Sequence, residues 1–342
     1  DPLLPPLQQV KGSLQFSANA GVTVRASSAV PGIVSPVGIA GVEYEDADES
    51  LPLAVSAARA AGALQPIPTH RQRVADGGIR FLVHVMESLE TKEAERVLRQ
   101  ARPKTGAAPA NPFLPYEEAL FVADLTATHL CLLNKFSVID QHLLIVTRSF
   151  EEQETPLSGA DMEALALCLS EIDGLGFFNG GAAAGASQPH KHLQLVPLPL
   201  ALDGPRLPME PLLADALAAA PGEPRIAKTL PFRHGLCRLE GFAEADLVSA
   251  YRALLAATGM VSTMSGFDDG EPLPPYNLLV TRTWMLLVPR ARERVEGISL
   301  NALGYAGSLF VRNETQLALV EHAGPMRMLR TATQPLVSAF EA

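Results

Sequence analysis

The stretch ASQPHKHLQLVP, residues 186–197, limits the fold of this chain more than any other segment. Its apolar and polar residues alternate, which predicts a β-strand. Side chains on a strand point alternately to two faces, so a polar trio shares one face: His190, His192 and Gln194. The opposite face carries Lys191, Leu193 and Leu195. We expect the leucines to enter the core and the polar trio to line a cleft.

The polar trio has three candidate uses. Two imidazoles buried without partners cost about 1–3 kcal/mol each, so they either bond within the core or serve a ligand. A histidine pair can also bind zinc, but no Cys, Asp or Glu in the stretch supplies a third ligand. The preceding turn, GASQ at 185–188, lets backbone N–H groups approach an anion, although it lacks the GK[ST] of a P-loop. An anionic ligand is therefore the favoured interpretation.

Composition and charge narrow the classes of partner. The chain has 342 residues, enough for about two domains, and a formal net charge of −10, which disfavours nucleic acid and anionic membranes as partners. No apolar run reaches the roughly 18 residues of a membrane span, and the first residues do not read as a signal peptide. Three widely spaced cysteines predict a reducing compartment, so we expect the protein in the cytoplasm.

The run FFNGGAAAGASQPHKHLQ resembles the histidine-triad superfamily in its HxHxQ form, as found in diadenosine tetraphosphate (Ap4A) phosphorylases, also called ATP adenylyltransferases. Further blocks, in the same order as in that family, are GALQPIPT, GGIRFLVHVMESLETK, NPFLPYEEALFV, LLNKFSVIDQHLLIVTRSFEEQ, YNLLVTRTWMLLVPR and GISLNALGYAGSLFVRN. The resemblance covers about residues 58–335. It implies an α+β, histidine-triad-like fold, similar to galactose-1-phosphate uridylyltransferase. Such a fold has a mixed, mainly antiparallel sheet flanked by helices, with a C-terminal α+β domain that completes the site.

The resemblance and the composition together predict four segments. Residues 1–57 are an unassigned N-terminal arm with a strand or two, and residues 58–205 are a nucleotide-transferase core with the HxHxQ motif. Residues 206–228 form a linker, and residues 229–342 a C-terminal domain of the ATP adenylyltransferase type. Apolar spacing predicts helices over about 51–62, 158–173 and 244–257.

The resemblance implies a two-step transfer. His192 would attack the α-phosphorus of Ap4A, expel ATP and retain an adenylyl group, which inorganic phosphate would then take to give ADP, reversibly. A neutral imidazole is a competent nucleophile because its reference pKa is about 6.5. His190 is expected to orient or bond a phosphate oxygen. Gln194 can hold an oxygen but has no proton to give, which favours transfer over hydrolysis.

The resemblance also assigns binding residues by position. The cradle of the α-phosphate and ribose is expected to comprise Asn179, Gly185, Ala186, Ser187, Gln188 and Gln194. Asn134 and Lys135 match a nucleotide-binding pair, and the block that closes over the substrate supplies Asn301, Gly304 and Gly307. Lys104, or Arg102 beside it, is a candidate contact for a distal phosphate. No metal site and no tightly bound cofactor are expected, although a divalent cation such as Mg²⁺ can accompany the polyphosphate.

Other polar residues are assigned ordinary roles. His142 is expected to bond a neighbouring carbonyl, His129 and His84 to be structural, and His234 to be solvated, like His70 and His322. Lys191 points away from the site, and Trp284 and Tyr305 are packing residues. Arg282 and Arg290 share a strand face whose default interpretation is a salt-bridged surface.

Two alternatives to Ap4A phosphorolysis stay open. One is another HxHxQ transferase, such as a sugar-nucleotide phosphorylase or a hexose-1-phosphate uridylyltransferase. For a uridylyltransferase we would expect metal-binding cysteines, which this sequence lacks. The other is a protein that binds dinucleotides without turnover.

Overall fold

The computed structural model describes residues 12–15, 23–26, 47–86, 111–201, 203–261 and 272–335. The first part of the chain contains β1 (Gly12–Gln15), β2 (Thr23–Ala26), α1 (Ala47–Ala60), β3 (Thr69–Asp76), β4 (Ile79–Met86), β5 (Phe121–Asp124), β6 (His129–Leu133), β7 (Leu143–Thr147), α2 (Gly159–Glu171), β8 (Gly174–Gly180) and β9 (His192–Pro197). The second part contains α3 (Ala214–Leu217), β10 (Pro224–Arg225), β11 (Gly235–Arg238), α4 (Glu244–Ala257), β12 (Tyr276–Val280), β13 (Trp284–Pro289), β14 (Arg294–Val295), β15 (Ile298–Ser299), α5 (Ala302–Tyr305), β16 (Ser308–Val311), α6 (Glu314–Ala323) and α7 (Pro325–Ala332).

One large sheet dominates the described residues. Its strand order is β10-β11-β13-β12-β8-β9-β7-β6-β5-β1-β2, and every neighbouring pair is antiparallel except β1 with β5. This mixed, mainly antiparallel sheet with flanking helices confirms the expected fold class. Strand β12 pairs with β8 in a register that places Asn277 opposite Asn179. The sheet therefore joins the two halves of the chain, while the domain bounds drawn from the sequence stay a prediction.

Helix α2 shows how the sequence builds the covered face of this sheet. Its start is fixed by Ser158, whose side chain accepts from the backbone of Asp161 while the Asp161 carboxylate accepts from the backbone of Ser158. Leu165 of this helix is fully buried, and a Cβ on Gly176 of β8 would lie 2.6 Å from it. Glycine in the strand therefore lets the helix lie close to the sheet.

Two of the three predicted helices differ slightly from the observed ones. The helix expected over 158–173 is Gly159–Glu171, and the one expected over 51–62 begins earlier, at Ala47, and ends at Ala60. The helix over 244–257 matches its prediction. These differences lie at helix ends, where fraying and capping rather than apolar spacing decide the last residue.

A second layer covers the other face of the large sheet. It consists of β16, β4 and β3, with β16 parallel to β4, and of the C-terminal helices. Apolar side chains of this small sheet pack into one core with residues of the large sheet such as Phe177 and Leu279. Both halves of the chain thus contribute to the layer that lies beside the HxHxQ strand.

The predicted N-terminal arm is described only in part. The backbone of β1 pairs with β5 and extends the large sheet, and β2 follows at its edge. The remaining residues of the arm before Ala47, and Lys104 with Arg102, lie outside the described residues. None of the helices in the described ranges has the length and apolar character needed to cross a membrane.

Candidate active site

His192 opens β9 and is held as a neutral nucleophile. Its Nδ1–H donates to the carbonyl oxygen of His190 at 2.8 Å, so its lone pair resides on Nε2. Burial lowers the pKa of His192 to about 4, against the opposing effect of that hydrogen bond. No described residue bonds Nε2, and the ring of Phe113 meets the imidazole edge-on at 4.9 Å. The arrangement leaves one ring nitrogen free to attack an electrophile.

Gln153 fixes the backbone on which His192 sits. Its Oε1 accepts from the backbone N–H of His192 at 2.9 Å, and its Nε2 donates to the carbonyls of Asn179 (2.9 Å) and His192 (3.2 Å). The paired ladder between β8 and β9 ends two residues earlier, at Phe177 and Gln194. The buried amide therefore replaces the missing ladder bonds and holds Asn179 beside His192. The sequence offered no pattern that singles out Gln153.

His190 orients the site rather than offering its ring to a ligand. The fully buried imidazole donates from Nδ1 to Asn111 Oδ1 at 2.7 Å and accepts at Nε2 from the Thr147 hydroxyl at 2.8 Å. Asn111 Oδ1 also accepts from the backbone N–H of Phe113 at 3.0 Å. Of the two expected roles, orienting or bonding a phosphate oxygen, these contacts favour the first, since both ring nitrogens are engaged within the described residues. Its carbonyl orients His192, and its ring anchors the segment that carries Phe113.

Gln194 is oriented by a chain of side chains with a single polarity. Asn134 Oδ1 accepts from the Phe136 N–H at 3.3 Å, so its Nδ2 donates to His142 Nδ1 at 3.2 Å. His142 Nε2–H then donates to Gln194 Oε1 at 2.9 Å. Burial lowers the pKa of His142 to about 4, which keeps it neutral and allows one nitrogen to accept and the other to donate. No described residue accepts from the NH₂ group of Gln194, which can therefore donate to a ligand.

The contacts of His142 and Lys135 add to what the sequence suggested. His142 does bond a carbonyl oxygen, but that oxygen belongs to the side chain of Gln194, which places His142 in the site. Lys135 is not a free cation, because it forms an ion pair with Glu117. The other member of the predicted nucleotide-binding pair, Asn134, contributes to the orientation of Gln194.

The glycine-rich turn before β9 is closed upon itself. Gly181 and Gly185 have φ of 94° and 91°, a region that favours glycine. The N–H groups of Ala184 and Ala186 bond to the carbonyl of Gly181, and that of Gly185 to Ala182. Of the turn residues expected to approach an anion, Gly185 and Ala186 therefore already use their amides within the turn. Beyond them Ser187 is exposed and Gln188 half-buried, at the open end of the turn.

The C-terminal half enters the site through Asn301 and Ala302. A Cβ on Gly185 would lie 2.9 Å from Asn301 Cβ, so the turn packs directly against the start of α5. Asn301 caps that helix by accepting from the Leu303 N–H at 3.1 Å, and the Ala302 N–H donates to Asn179 Oδ1 at 2.9 Å.

The two other glycines expected to close over the substrate are buried in packing contacts. A Cβ on Gly304 would meet Leu329 at 3.1 Å, and one on Gly307 would meet Pro208 at 2.6 Å. Gly307, with a φ of 92°, needs glycine for its backbone and its packing, whereas Gly304 is tightly packed against a flexible leucine; their expected contact with the substrate stays a prediction.

Lys191 faces away from the site, as the strand alternation predicts. Its buried Nζ pairs with Asp161 at 2.7 Å and with Glu151 at 3.1 Å. Burial would raise the pKa of Asp161, but the hydrogen bond from His129 and the Lys191 charge outweigh it and lower the pKa to about 2. This ionic cluster anchors the back of the HxHxQ strand.

Three further expectations have different outcomes in the structure. His234 is buried rather than solvated: it donates to the Phe232 carbonyl and accepts from the Ala227 N–H. Arg290 is buried rather than on a salt-bridged surface, whereas Arg282 donates to the last carbonyls of α2. Trp284 and Tyr305 are buried, which confirms their assignment as packing residues.

An apolar strip lies on the same sheet face as His192 and Gln194. In the register of β7 and β9, Val146 is opposite His192 and Leu144 opposite Gln194. These two residues cluster with Leu130 and Leu132 of β6, and Phe113 packs against them. The nucleophile thus lies between polar amides and an apolar surface.

Comparison with known proteins agrees with this fold. Residues 46–215 match the model of the Ap4A phosphorylase N-terminal domain, and residues 228–335 match the ATP adenylyltransferase C-terminal domain. The diadenosine 5',5'''-P1,P4-tetraphosphate phosphorylase 2 of Saccharomyces cerevisiae is 28% identical over 233 residues, 60% of this chain and 70% of its own. Protein APA1 of the same yeast is 27% identical over 238 residues, 62% of this chain and 73% of its own.

Solved structures show the same fold. The crystal structure of yeast Ap4A phosphorylase Apa2 superimposes with a TM-score of 0.67 at 22% identity, covering 84% of this chain and 97% of Apa2. Its complex with Ap4A gives 0.64 over the same shares. The two domain models and the strand-borne HxHxQ histidine define a histidine-triad-like nucleotidyltransferase. The two domain models together match most of the chain, which therefore belongs to the Ap4A phosphorylase family and is an enzyme of the ATP adenylyltransferase type.

Proposed function

We propose that this protein converts Ap4A and phosphate to ATP and ADP through an adenylyl group carried by His192. The observation that carries the proposal is the hydrogen bond from His192 Nδ1–H to the His190 carbonyl, which leaves Nε2 unprotonated. One of the yeast relatives is named as a phosphorylase of this dinucleotide, and yeast Ap4A phosphorylase Apa2 has been crystallised with Ap4A and with AMP. Those names support the choice of substrate.

The first step is the transfer of AMP to the enzyme. The Nε2 lone pair attacks the α-phosphorus, a P–N bond forms, and the P–O bond to the neighbouring phosphate breaks to release ATP. A terminal phosphate has a second pKa of about 6, so ATP leaves as a stable anion and needs no proton donor. Gln194, with its oxygen tied to His142, offers an NH₂ group to a non-bridging oxygen but no acid.

The second step returns AMP to an anion. Phosphate oxygen attacks the adenylyl phosphorus, the P–N bond breaks, and ADP leaves with the imidazole restored to its neutral state. Neutrality is favoured because burial lowers the pKa of His192 to about 4. The same two steps run backwards from ADP. Good leaving groups on both sides make phosphorolysis, rather than hydrolysis, the chemistry that these residues support.

The proposal also includes a divalent cation and a cellular location. A divalent cation such as Mg²⁺ arrives with the polyphosphate, whose charge it offsets against a chain of net charge −10; titration with a chelator tests this. A cytoplasmic location is supported by the three free cysteines, all buried within the described part of the chain.

The experiment measures release of ATP and ADP from Ap4A with and without phosphate. With phosphate, the parent enzyme is expected to release ATP and ADP over many turnovers. Without phosphate, it is expected to release ATP in the first turnover only, and no ADP. His192→Ala is expected to release neither product. His322→Ala, an exposed histidine on α6, is the matched control and retains full turnover. Equal activity of His192→Ala and the parent, or preference for a sugar nucleotide over Ap4A, would contradict the proposal.

A further inference from the structure

Arg290 is a buried cation, and none of its hydrogen-bond partners among the described residues is a carboxylate. The residue follows β13 and is 1% exposed. Its guanidinium donates to Asn277 Oδ1 at 2.5 Å and to four backbone carbonyls, those of Ala184, Arg292, Leu300 and Ala332, at 2.8–3.3 Å. Burial of an ion costs several kcal/mol unless its surroundings compensate. A positive charge is thus maintained directly behind the Gly181–Gly185 turn.

Asn277 connects this cation to Asn179 with only one consistent polarity. The Ala302 N–H donates to Asn179 at 2.9 Å, which identifies the acceptor as Oδ1. Asn277 therefore turns its Nδ2 to Asn179 Oδ1 and to the Ala184 carbonyl, both at 2.8 Å, and its Oδ1 to Arg290. The oxygen of Asn179 accepts two hydrogen bonds, and no described residue accepts from its Nδ2.

Asn179 lies on the reactive face of the sheet. The β8–β9 register pairs Phe177 with Gln194, and two residues further the chain places Asn179 opposite His192. Gln153 bridges the carbonyls of these last two residues. The available NH₂ group of Asn179 is therefore a neighbour of the nucleophile.

We infer that Arg290 and Asn277 are positioning residues that fix the Asn179 NH₂ group toward one non-bridging oxygen of the α-phosphate attacked by His192. The inference rests on the proposed function. A donor whose direction is set before the reaction needs no reorganisation when charge moves onto that oxygen. The positive charge of Arg290, which lies behind the turn, also stabilises the negative charge that moves onto that oxygen.

The decisive variant is Asn277→Asp. It keeps an acceptor for Arg290 and nearly the same shape, but it turns a carboxylate oxygen toward Asn179 Oδ1 and neutralises the Arg290 charge. The Asn179 amide is then expected to rotate its NH₂ group toward Asp, away from the substrate. Single-turnover transfer of AMP from Ap4A to His192 should slow by about 10²-fold, the usual effect of losing one preorganised donor. Arg290→Lys keeps the charge but loses the fork, and transfer should slow by about 10-fold.

A second readout separates positioning from a merely structural role. The second step can be run in reverse from the two diastereomers of ADPαS and followed as exchange of labelled phosphate into the nucleotide. This exchange reports which non-bridging oxygen meets a fixed donor. The parent enzyme should prefer one diastereomer, and Asn277→Asp should lose most of that preference. Arg282→Met removes an arginine that also binds backbone carbonyls, but at the end of α2, and should change neither the rate nor the preference.

The outcomes separate a failure of the proposed function from a failure of the inference about Arg290 and Asn277. A parent enzyme that forms no adenylyl-histidine overturns the proposed function and the inference with it. A parent enzyme that transfers AMP, with Asn277→Asp within about 3-fold in rate and unchanged in diastereomer preference, overturns the inference alone. If thermal melting shows that Asn277→Asp does not fold, Arg290→Lys decides by the same two criteria.

Discussion

His142 offers the sharpest test of how the site orients the side-chain amide of Gln194. His142→Phe removes the 2.9 Å hydrogen bond to Gln194 Oε1 and the acceptor of Asn134, while an aromatic ring still fills the space near Phe177. A neutral hydrogen bond of this kind contributes about 0.5–1.5 kcal/mol, and a buried amide left without its partner costs about 1–3 kcal/mol. Gln194 then loses its preference for presenting NH₂ to the substrate.

The expected kinetic effect follows from that lost preference. A loss of about 1–2 kcal/mol of transition-state stabilisation lowers the rate by about 5–30-fold. The assay is single-turnover release of ATP from Ap4A, with thermal melting to show that the variant is folded. Gln194→Leu alone should be slower still, because it removes the donor outright.

A double-mutant cycle decides whether His142 acts through Gln194. If it does, adding His142→Phe to Gln194→Leu changes the rate by less than about 2-fold, since the group that His142 orients is already gone. Equal factors for His142→Phe in both backgrounds would refute the reasoning and assign His142 an independent role.

Three further predictions concern pH and stability. Because the pKa of His192 is lowered to about 4, single-turnover transfer should stay flat from pH 8 down to about pH 5; a fall centred near pH 6.5 would contradict this. Lys191→Met leaves Asp161 buried without its cation and should lower the free energy of unfolding by about 3 kcal/mol, with transfer by the folded variant within about 3-fold of the parent. The pKa of His234 is about 4 when folded and about 6.5 when unfolded, so stability is lost as pH falls between these values. Denaturant titrations of His234→Ala should show a lower free energy of unfolding at pH 7, because the Ala227 N–H loses its acceptor. Near pH 5 the free energy of unfolding should depend on pH with a slope reduced by about 1.4 kcal/mol per pH unit. An unchanged slope would show that His234 is protonated in the folded protein.

The parts of the fold that follow local patterns could be predicted from the sequence. Alternation along β9 separates Leu193 and Leu195, which enter the core beneath α2, from the polar trio, and Lys191 does face the other side. Apolar spacing with Ser158 as a cap likewise locates α2 within two residues at either end. These features depend on neighbours along the chain, so they are visible before folding.

The residues that orient the site could not be found in this way. Arg290 donates to Ala184 and Ala332, which are 106 and 42 residues away, so its place on a strand indicates a surface cation until the fold brings those carbonyls together. Gln153 and Asn277 are isolated polar residues whose partners lie on other strands. Buried amides of this kind have no periodicity, and only a complete account of hydrogen bonds in the folded chain identifies them.

His192 Nε2 is the atom expected to carry the adenylyl group. Mass spectrometry of the enzyme after brief exposure to Ap4A without phosphate tests this most directly. We predict one AMP per chain, on the peptide that contains His192, removed as ADP when phosphate is added. An unmodified chain that nevertheless releases ATP, or AMP attached to another residue, would contradict it.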